Sequence, residues 1–113
     1  MHEISLCESI LDIVTERAAT DRFSRVTRIR LEIGPLAAVE PEALRFGFDV
    51  VMRGSIAEGA RLEIESSPGR AQCLACGNAV VVRLRFDPCP VCGSDALQVR
   101  GGDTLRIREM EVV

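Results

Sequence analysis

The sequence contains no lysine, tryptophan or tyrosine, and it has a single histidine. Without lysine the chain can form no Schiff base and has no P-loop lysine, and neither a GxxxxGK[ST] nor a GxGxxG pattern occurs. If the work of this protein requires a nucleotide, another protein must therefore handle it. The cationic side chains are all arginine, which we attribute to codon bias rather than to function.

Long apolar runs are also missing. No stretch approaches the ~18–20 apolar residues that span a bilayer, and the N-terminus lacks the basic and apolar regions of a signal peptide. We therefore expect a cytoplasmic protein without membrane contact. A formal net charge of −3, with acids and arginines interleaved, disfavours a general polyanion binder. In a reducing compartment, five cysteines indicate metal or redox chemistry rather than a disulfide framework.

Hydrophobic periodicity outlines a small domain with an appendage. Residues 4–19 show the 3–4 spacing of an amphipathic helix, although Ser5 and Glu8 form a capping box that would start it later. Residues 25–33 and 61–66 alternate as strands, and Pro41 and Gly54 bracket a second helix over 41–53. The inward face of the first strand is predicted to comprise Thr27, Ile29, Leu31 and Ile33.

A final alternating strand follows Gly101 and Gly102, so the predicted order is α-β-α-β, a cysteine insert, and β. We predict an α+β fold: a three-stranded sheet with two helices, plus an inserted small zinc-ribbon domain. The predicted domains are 1–69 with 101–113, and 70–100. An exposed edge of such a sheet would also allow a homodimer.

The insert carries two CxxCG motifs around a short predicted strand, Val80–Phe86. Thiolates three residues apart can occupy two corners of a tetrahedron, and the glycine after each motif permits a positive φ. Four thiolates close the coordination sphere of Zn²⁺, so the site is predicted to be structural rather than catalytic. Reversible disulfides and an iron site are the alternatives. The four candidate ligands are Cys73, Cys76, Cys89 and Cys92.

The remaining cysteine and the charges of the insert limit other functions. Cys7 lies on the apolar stripe of the first helix, where a buried thiol acts as a small hydrophobe. The formal charges of residues 70–100, counted with a zinc tetrathiolate, cancel, and Phe86 is the only aromatic side chain there. Both observations disfavour a nucleic-acid surface.

The only histidine, His2, follows the N-terminal residue. The α-amine of Met1, the His2 amide and the imidazole Nδ1 could chelate one metal in a plane, which suits Ni²⁺ or Cu²⁺. Glu3 could supply a further ligand, and Glu40 could lie nearby if the fold brings it close. Because protons compete for the amine and the imidazole, affinity should fall on acidification. A solvated terminal histidine without function is the alternative.

The start Met1-His2-Glu3, the apolar helix after it and the paired CxxCG motifs together resemble the HypA/HybF family of hydrogenase nickel-insertion accessory proteins. The resemblance covers essentially the whole chain, including Gly34-Pro35-Leu36 and the stretch from Val39 to Phe46. It implies a metallochaperone rather than an enzyme, with Ni²⁺ held at His2 and often Glu3, and with a structural zinc domain. It also implies that an acidic residue at the position of Glu40 affects nickel or partner binding.

The resemblance further implies two protein partners: a nickel-handling maturation GTPase and the precursor of the [NiFe]-hydrogenase large subunit. Extra histidines near the zinc motifs, present in some members, are missing here, so the N-terminal motif must bind the nickel. Two other functions remain open from the residues: a zinc-ribbon module that binds protein or nucleic acid without a nickel role, and a small thiol-redox protein.

Overall fold

The computed structural model describes residues 2–113, which form two helices and six strands. In chain order these are α1 (His2–Asp21), β1 (Val26–Ile33), α2 (Pro41–Val51), β2 (Arg61–Ser66), β3 (Gly69–Cys73), β4 (Ala79–Val82), β5 (Leu97–Gly101) and β6 (Leu105–Val112). The strands form two three-stranded sheets, in the orders β2-β1-β6 and β4-β3-β5. The predicted fold class is therefore confirmed: the last strand returns to the first sheet, after an insert that contains four of the five cysteines.

Three predictions about the elements differ from the structure. The helix α1 begins at His2, so Ser5 lies within it and the later start suggested by the capping box is wrong. The insert contains three strands instead of one. The strand predicted over Val80–Phe86 ends at Val82, because the Asp87 carboxylate accepts hydrogen bonds from the backbone N–H groups of Arg83 and Leu84 and forms a turn.

Two compact units divide the chain. Within the described residues, the first comprises the segments up to Leu31, Val39–Ile64 and Ile107–Val113, and the second comprises Glu32–Ala38 and Glu65–Arg106. The domain boundaries inferred from the sequence remain a prediction. None of the helices over residues 2–113 has the length and hydropathy needed to cross a membrane.

The core of the first unit contains one face from each of its main elements. Alternation in β1 places Ile29 and Leu31 inward, but Thr27, also predicted inward, is exposed, and its hydroxyl donates to the Glu111 carbonyl oxygen. The outward-facing Arg28 instead pairs with carboxylates on both neighbouring strands. The buried residues that α1, β1 and α2 contribute to the first unit are Cys7, Ile10, Val14, Val26, Ile29, Leu31, Leu44, Gly47 and Phe48.

The two helices approach each other closely at Gly47. A Cβ atom added to Gly47 would lie 2.9 Å from Ile4 Cδ1 and 3.4 Å from Cys7 Sγ. The Cys7 thiol also lies 3.5 Å from the Leu44 carbonyl oxygen. A glycine in a helix costs about 1 kcal/mol relative to alanine, and here it allows the first two turns of α1 to pack directly on α2.

Candidate metal centres

Four cysteine side chains of the second unit converge on one point. The sulfurs of Cys73, Cys76, Cys89 and Cys92 all lie within 4.8 Å of one another. The distance between the Cys73 and Cys92 sulfurs is 3.6 Å, and that between Cys76 and Cys89 is 3.8 Å. A tetrahedral zinc with Zn–S bonds of about 2.3 Å places its sulfurs about 3.8 Å apart. The four predicted ligands therefore have the spacing of a tetrathiolate metal site.

Each CxxCG motif forms the same backbone turn. Gly77 donates to the Cys73 carbonyl oxygen at 2.9 Å, and Gly93 donates to that of Cys89 at 2.8 Å. Both glycines have positive φ, 80° and 77°, as their position after the second cysteine predicts. Each turn therefore brings the two thiols of its own motif to one side of the site.

Backbone and side-chain N–H groups point at the sulfurs. Cys76 N lies 3.5 Å from Cys73 Sγ, and Val91 N lies 3.4 Å from Cys89 Sγ. The Asn78 side-chain amide donates to Cys76 Sγ at 3.3 Å. Sequence reasoning missed Asn78, although its place directly after the glycine of the first motif indicates such a role. These donors stabilise negative charge on sulfur.

The thiols of the cluster differ in acidity. Hydrogen bonds from the backbone and the side chain of Asn78 lower the pKa of Cys76 to about 6. A hydrogen bond from the backbone N–H of Ser94 lowers the pKa of Cys92, but desolvation and the three neighbouring cysteines outweigh it and raise this pKa to about 11. Four thiolates this close repel one another, so full ionisation of the cluster requires a cation among them.

The fifth cysteine does not join this cluster. Cys7 is completely buried in α1, and burial raises the pKa of its thiol to about 11. Its prediction as a core residue is confirmed. Leu36, which the hydrophobic periodicity did not assign to a core, packs with Cys73, Cys89 and the buried side chains of β3 and β4. This small apolar cluster supports the inner side of the cysteine site.

The N-terminal candidates meet at the start of α1. His2 Nδ1 lies 3.3 Å from Glu3 Oε2, and the side chains of His2 and Glu3 are 54% and 13% exposed. The same Glu3 oxygen accepts a hydrogen bond from the backbone N–H of Glu40 at 3.4 Å. This bond is the main reason that the pKa of the Glu3 carboxyl lies below its ordinary value. Met1, predicted to contribute its amine, lies outside the described residues.

Glu40 lies close to Glu3 and contacts it through its backbone N–H. Its carboxylate accepts a hydrogen bond from Ala43 N at 2.7 Å and caps the N-terminus of α2. Pro41 follows at the first helical position, where the missing N–H costs nothing. Three of the predicted residues, His2, Glu3 and Glu40, therefore lie together, and each contacts at least one of the others.

Comparison with known proteins covers nearly the full chain. The family described as "Hydrogenase/urease nickel incorporation, metallochaperone, hypA" matches residues 1–112. The "Hydrogenase maturation factor HypA" of Alkalilimnicola ehrlichii is 61% identical over 112 residues, and that of Azotobacter chroococcum is 59% identical, each alignment covering 99% of both chains.

The solution structure of the Ni metallochaperone HypA from Helicobacter pylori shares the fold. Its TM-score is 0.73 at 20% sequence identity, with 98% of this chain and 97% of that chain aligned. The sequence relationship and the shared fold are consistent with the two features described above, which are the four-cysteine cluster and the histidine at the start of α1. The chain therefore belongs to the HypA family of nickel-incorporation metallochaperones, which are not enzymes.

Proposed function

We propose that this protein binds Ni²⁺ at its N-terminus and delivers it during maturation of [NiFe]-hydrogenase, with a structural Zn²⁺ held by the four clustered cysteines. The observation that carries the nickel proposal is the pairing of His2 and Glu3 in the first turn of α1, in a member of a nickel-incorporation family. Nickel is the cargo in this proposal and zinc is the resident metal.

The donor chemistry supports zinc at the cysteine cluster. Thiolates are soft ligands, and four of them at tetrahedral spacing suit Zn²⁺ and leave no open coordination position. With no position for a substrate or water, the ion would stabilise the second unit rather than catalyse a reaction. We expect one zinc per chain, bound by Cys73, Cys76, Cys89 and Cys92.

Helix geometry supports a nitrogen-rich nickel site at the other location. The first four N–H groups of an α-helix have no intrahelical acceptor, so a metal can displace the amide protons of His2 or Glu3 without breaking a helix hydrogen bond. Together with the Met1 amine and the exposed His2 imidazole, these nitrogens form the type of planar donor set that Ni²⁺ accepts. The Glu3 carboxylate supplies negative charge beside it.

The same location favours release of the ion. A cation at a helix N-terminus meets the positive end of the helix dipole, and the Glu3 carboxylate offsets this repulsion. Because the helix dipole partly opposes the bound cation, the site would bind nickel with moderate affinity and release it to a protein that binds nickel more tightly. We propose the precursor of the hydrogenase large subunit as recipient and a nickel-handling GTPase as helper, both acting in the cytoplasm.

Nickel titration of three proteins tests this function: the wild type, His2→Ala, and a form with a few residues added ahead of Met1. Because both changes remove nitrogens from the chelate, we expect both to lose the tight nickel site and to keep one zinc per chain. Glu8→Gln, which changes an exposed carboxylate of the same helix, is the matched control and should bind nickel like the wild type.

The readouts are calorimetric nickel titration and elemental analysis of zinc. Unchanged nickel binding in His2→Ala and in the extended form would refute the N-terminal site and favour a zinc-ribbon interaction module. Full folding with reduced thiols and no zinc would refute the structural zinc.

A further inference from the structure

We propose that Glu40 is a positioning residue for the nickel site: it caps α2 with its carboxylate and holds the Glu3 carboxylate with its backbone N–H. This inference rests on the proposed nickel function and specifies how the residues around the N-terminal site cooperate. It assigns to Glu40 a role other than that of a metal ligand.

The carboxylate of Glu40 is already engaged. It lies 2.7 Å from Ala43 N, three residues further on, as an N-cap side chain does. It also lies at the positive end of the α2 dipole, which favours an anion. Turning this carboxylate toward an ion at His2 would break the cap and leave the Ala43 N–H without its partner.

The backbone of Glu40 performs the second task. At the cap its φ and ψ are −88° and 114°, an extended conformation, and its N–H donates to Glu3 Oε2 at 3.4 Å. The same oxygen lies 3.3 Å from His2 Nδ1. The Glu3 carboxylate is thus held between the first residue before α2 and the imidazole that would bind nickel.

Helix packing keeps this arrangement in place. Gly47 allows Ile4 and Cys7 of α1 to contact α2, so the N-terminal turns of the two helices lie beside each other. Because Glu40 lies at the cap of α2, this packing also fixes the position of the Glu3 carboxylate that the Glu40 N–H contacts. Because Nδ1 of His2 is the imidazole atom proposed to bind nickel, a carboxylate held 3.3 Å from it places negative charge beside the ion, and its position therefore influences metal affinity.

Substitution at position 40 separates capping from ligation. Glu40→Ala removes the cap and should weaken nickel binding by about 10-fold to 100-fold, as the loss of residues that orient metal ligands does. Glu40→Asn and Glu40→Ser remove the carboxylate but supply the best capping side chains, so both should bind nickel within about threefold of the wild type. If Asn and Ser are as impaired as Ala, or if Ala binds like the wild type, the inference is overturned.

A direct measurement of the Glu40–Glu3 hydrogen bond does not depend on nickel. In the zinc-loaded protein without nickel, Glu3→Gln should shift the backbone amide resonance of Glu40, whereas Glu8→Gln on the same helix should leave it in place. An unmoved Glu40 resonance in Glu3→Gln would contradict the proposed contact. Thermal unfolding and zinc content of every variant show whether the fold is retained.

These experiments also distinguish failure of the inference from failure of the function. If the wild type binds no nickel at its N-terminus, the proposed function is refuted and this inference with it. If the wild type binds nickel but neither Asn nor Ser restores the affinity lost in Glu40→Ala, only the positioning role is refuted.

Discussion

Cys7 and Cys76 carry the same thiol in opposite surroundings. Cys7 is enclosed by the apolar contact between α1 and α2, whereas Cys76 receives hydrogen bonds from Asn78 and lies beside three other sulfurs. Burial raises the pKa of Cys7 to about 11, and the bonds from Asn78 lower that of Cys76 to about 6. The thiolate form of cysteine is both the nucleophile and the metal ligand, so of these two residues only Cys76 is suited to react or to bind a metal.

Alkylation should separate these two classes of cysteine. In the native protein treated with a chelator at pH 8, we expect iodoacetamide to modify the exposed, low-pKa Cys76 while Cys7 stays unmodified. The raised pKa of Cys7 leaves few thiolates at this pH, and the buried sulfur is out of reach of the reagent. Mass spectrometry of the digested protein measures each site. Modification of Cys7 at the rate of Cys76 would contradict its burial.

At the scale of elements, cross-strand ion pairs and helix packing stabilise the first unit. Arg28 on β1 bonds to Glu63 on β2 and lies 3.2 Å from Glu109 and 2.9 Å from Glu111, both on β6. The hydrogen bond from Arg28 holds the pKa of Glu63 below its ordinary value. In the same unit, Gly47 sets the approach of α1 to α2.

The ion pair between Arg28 and Glu63 predicts a pH dependence of stability. Because the folded-state pKa of Glu63 is lowered, its contribution is complete above the unfolded value of 4.5 and is lost as the pH falls through the folded value. Between pH 6 and pH 3 the melting temperature of Glu63→Gln should fall less than that of the wild type. Glu8→Gln should follow the wild type, and equal slopes for all three proteins would argue against the pair.

Packing at Gly47 predicts a size-dependent loss of stability. Gly47→Leu would push against Ile4 and Cys7, so we expect the free energy of unfolding to fall by about 1–3 kcal/mol. Ala19→Leu adds the same side chain at an exposed position of α1 and should change it by less than about 0.5 kcal/mol. Urea denaturation measures both. Equal stability of the two variants would contradict close helix packing at this residue.

At the scale of the whole molecule, each unit is stabilised differently. The first has a core from two helices and a sheet, with buried residues such as Ile29, Leu31 and Phe48. The second has a small core of Leu36, Ala71, Val80 and Val82 around two of the cysteines. A core of this size supplies little hydrophobic stabilisation, so we expect a metal ion bound at the cysteines to supply much of the rest.

Metal removal should therefore affect the two units unequally. With a chelator and a thiol reductant, we expect the amide resonances of β3, β4 and β5 to lose dispersion while those of α1 and α2 keep theirs. Cys92→Ser should reproduce this effect without a chelator, and Cys7→Ala should retain both the zinc and the spectrum of the second sheet. A second sheet that stays folded without metal would refute the structural role of the ion.

Patterns that repeat over a short stretch predicted most of the architecture. The helix periodicity of residues 4–19, the alternation of β1 and the two CxxCG motifs all correspond to observed elements, because each depends on neighbouring residues alone. The strands β3 and β5 were missed since both are defined by pairing between distant segments: β3 pairs with β4 on one side and with β5 on the other. Their alternation was too brief to detect against the surrounding glycines.

The sequence by itself determined the chemistry of this protein: four cysteines in two CxxCG motifs, a single histidine at position 2, and membership of a nickel-incorporation family. These follow from residue type and order along the chain. Only the tertiary structure decided that Glu40, thirty-seven positions from Glu3, contacts it through a backbone N–H and caps α2 with its carboxylate. A contact across that separation depends on how two helices pack, and local periodicity carries no information about packing.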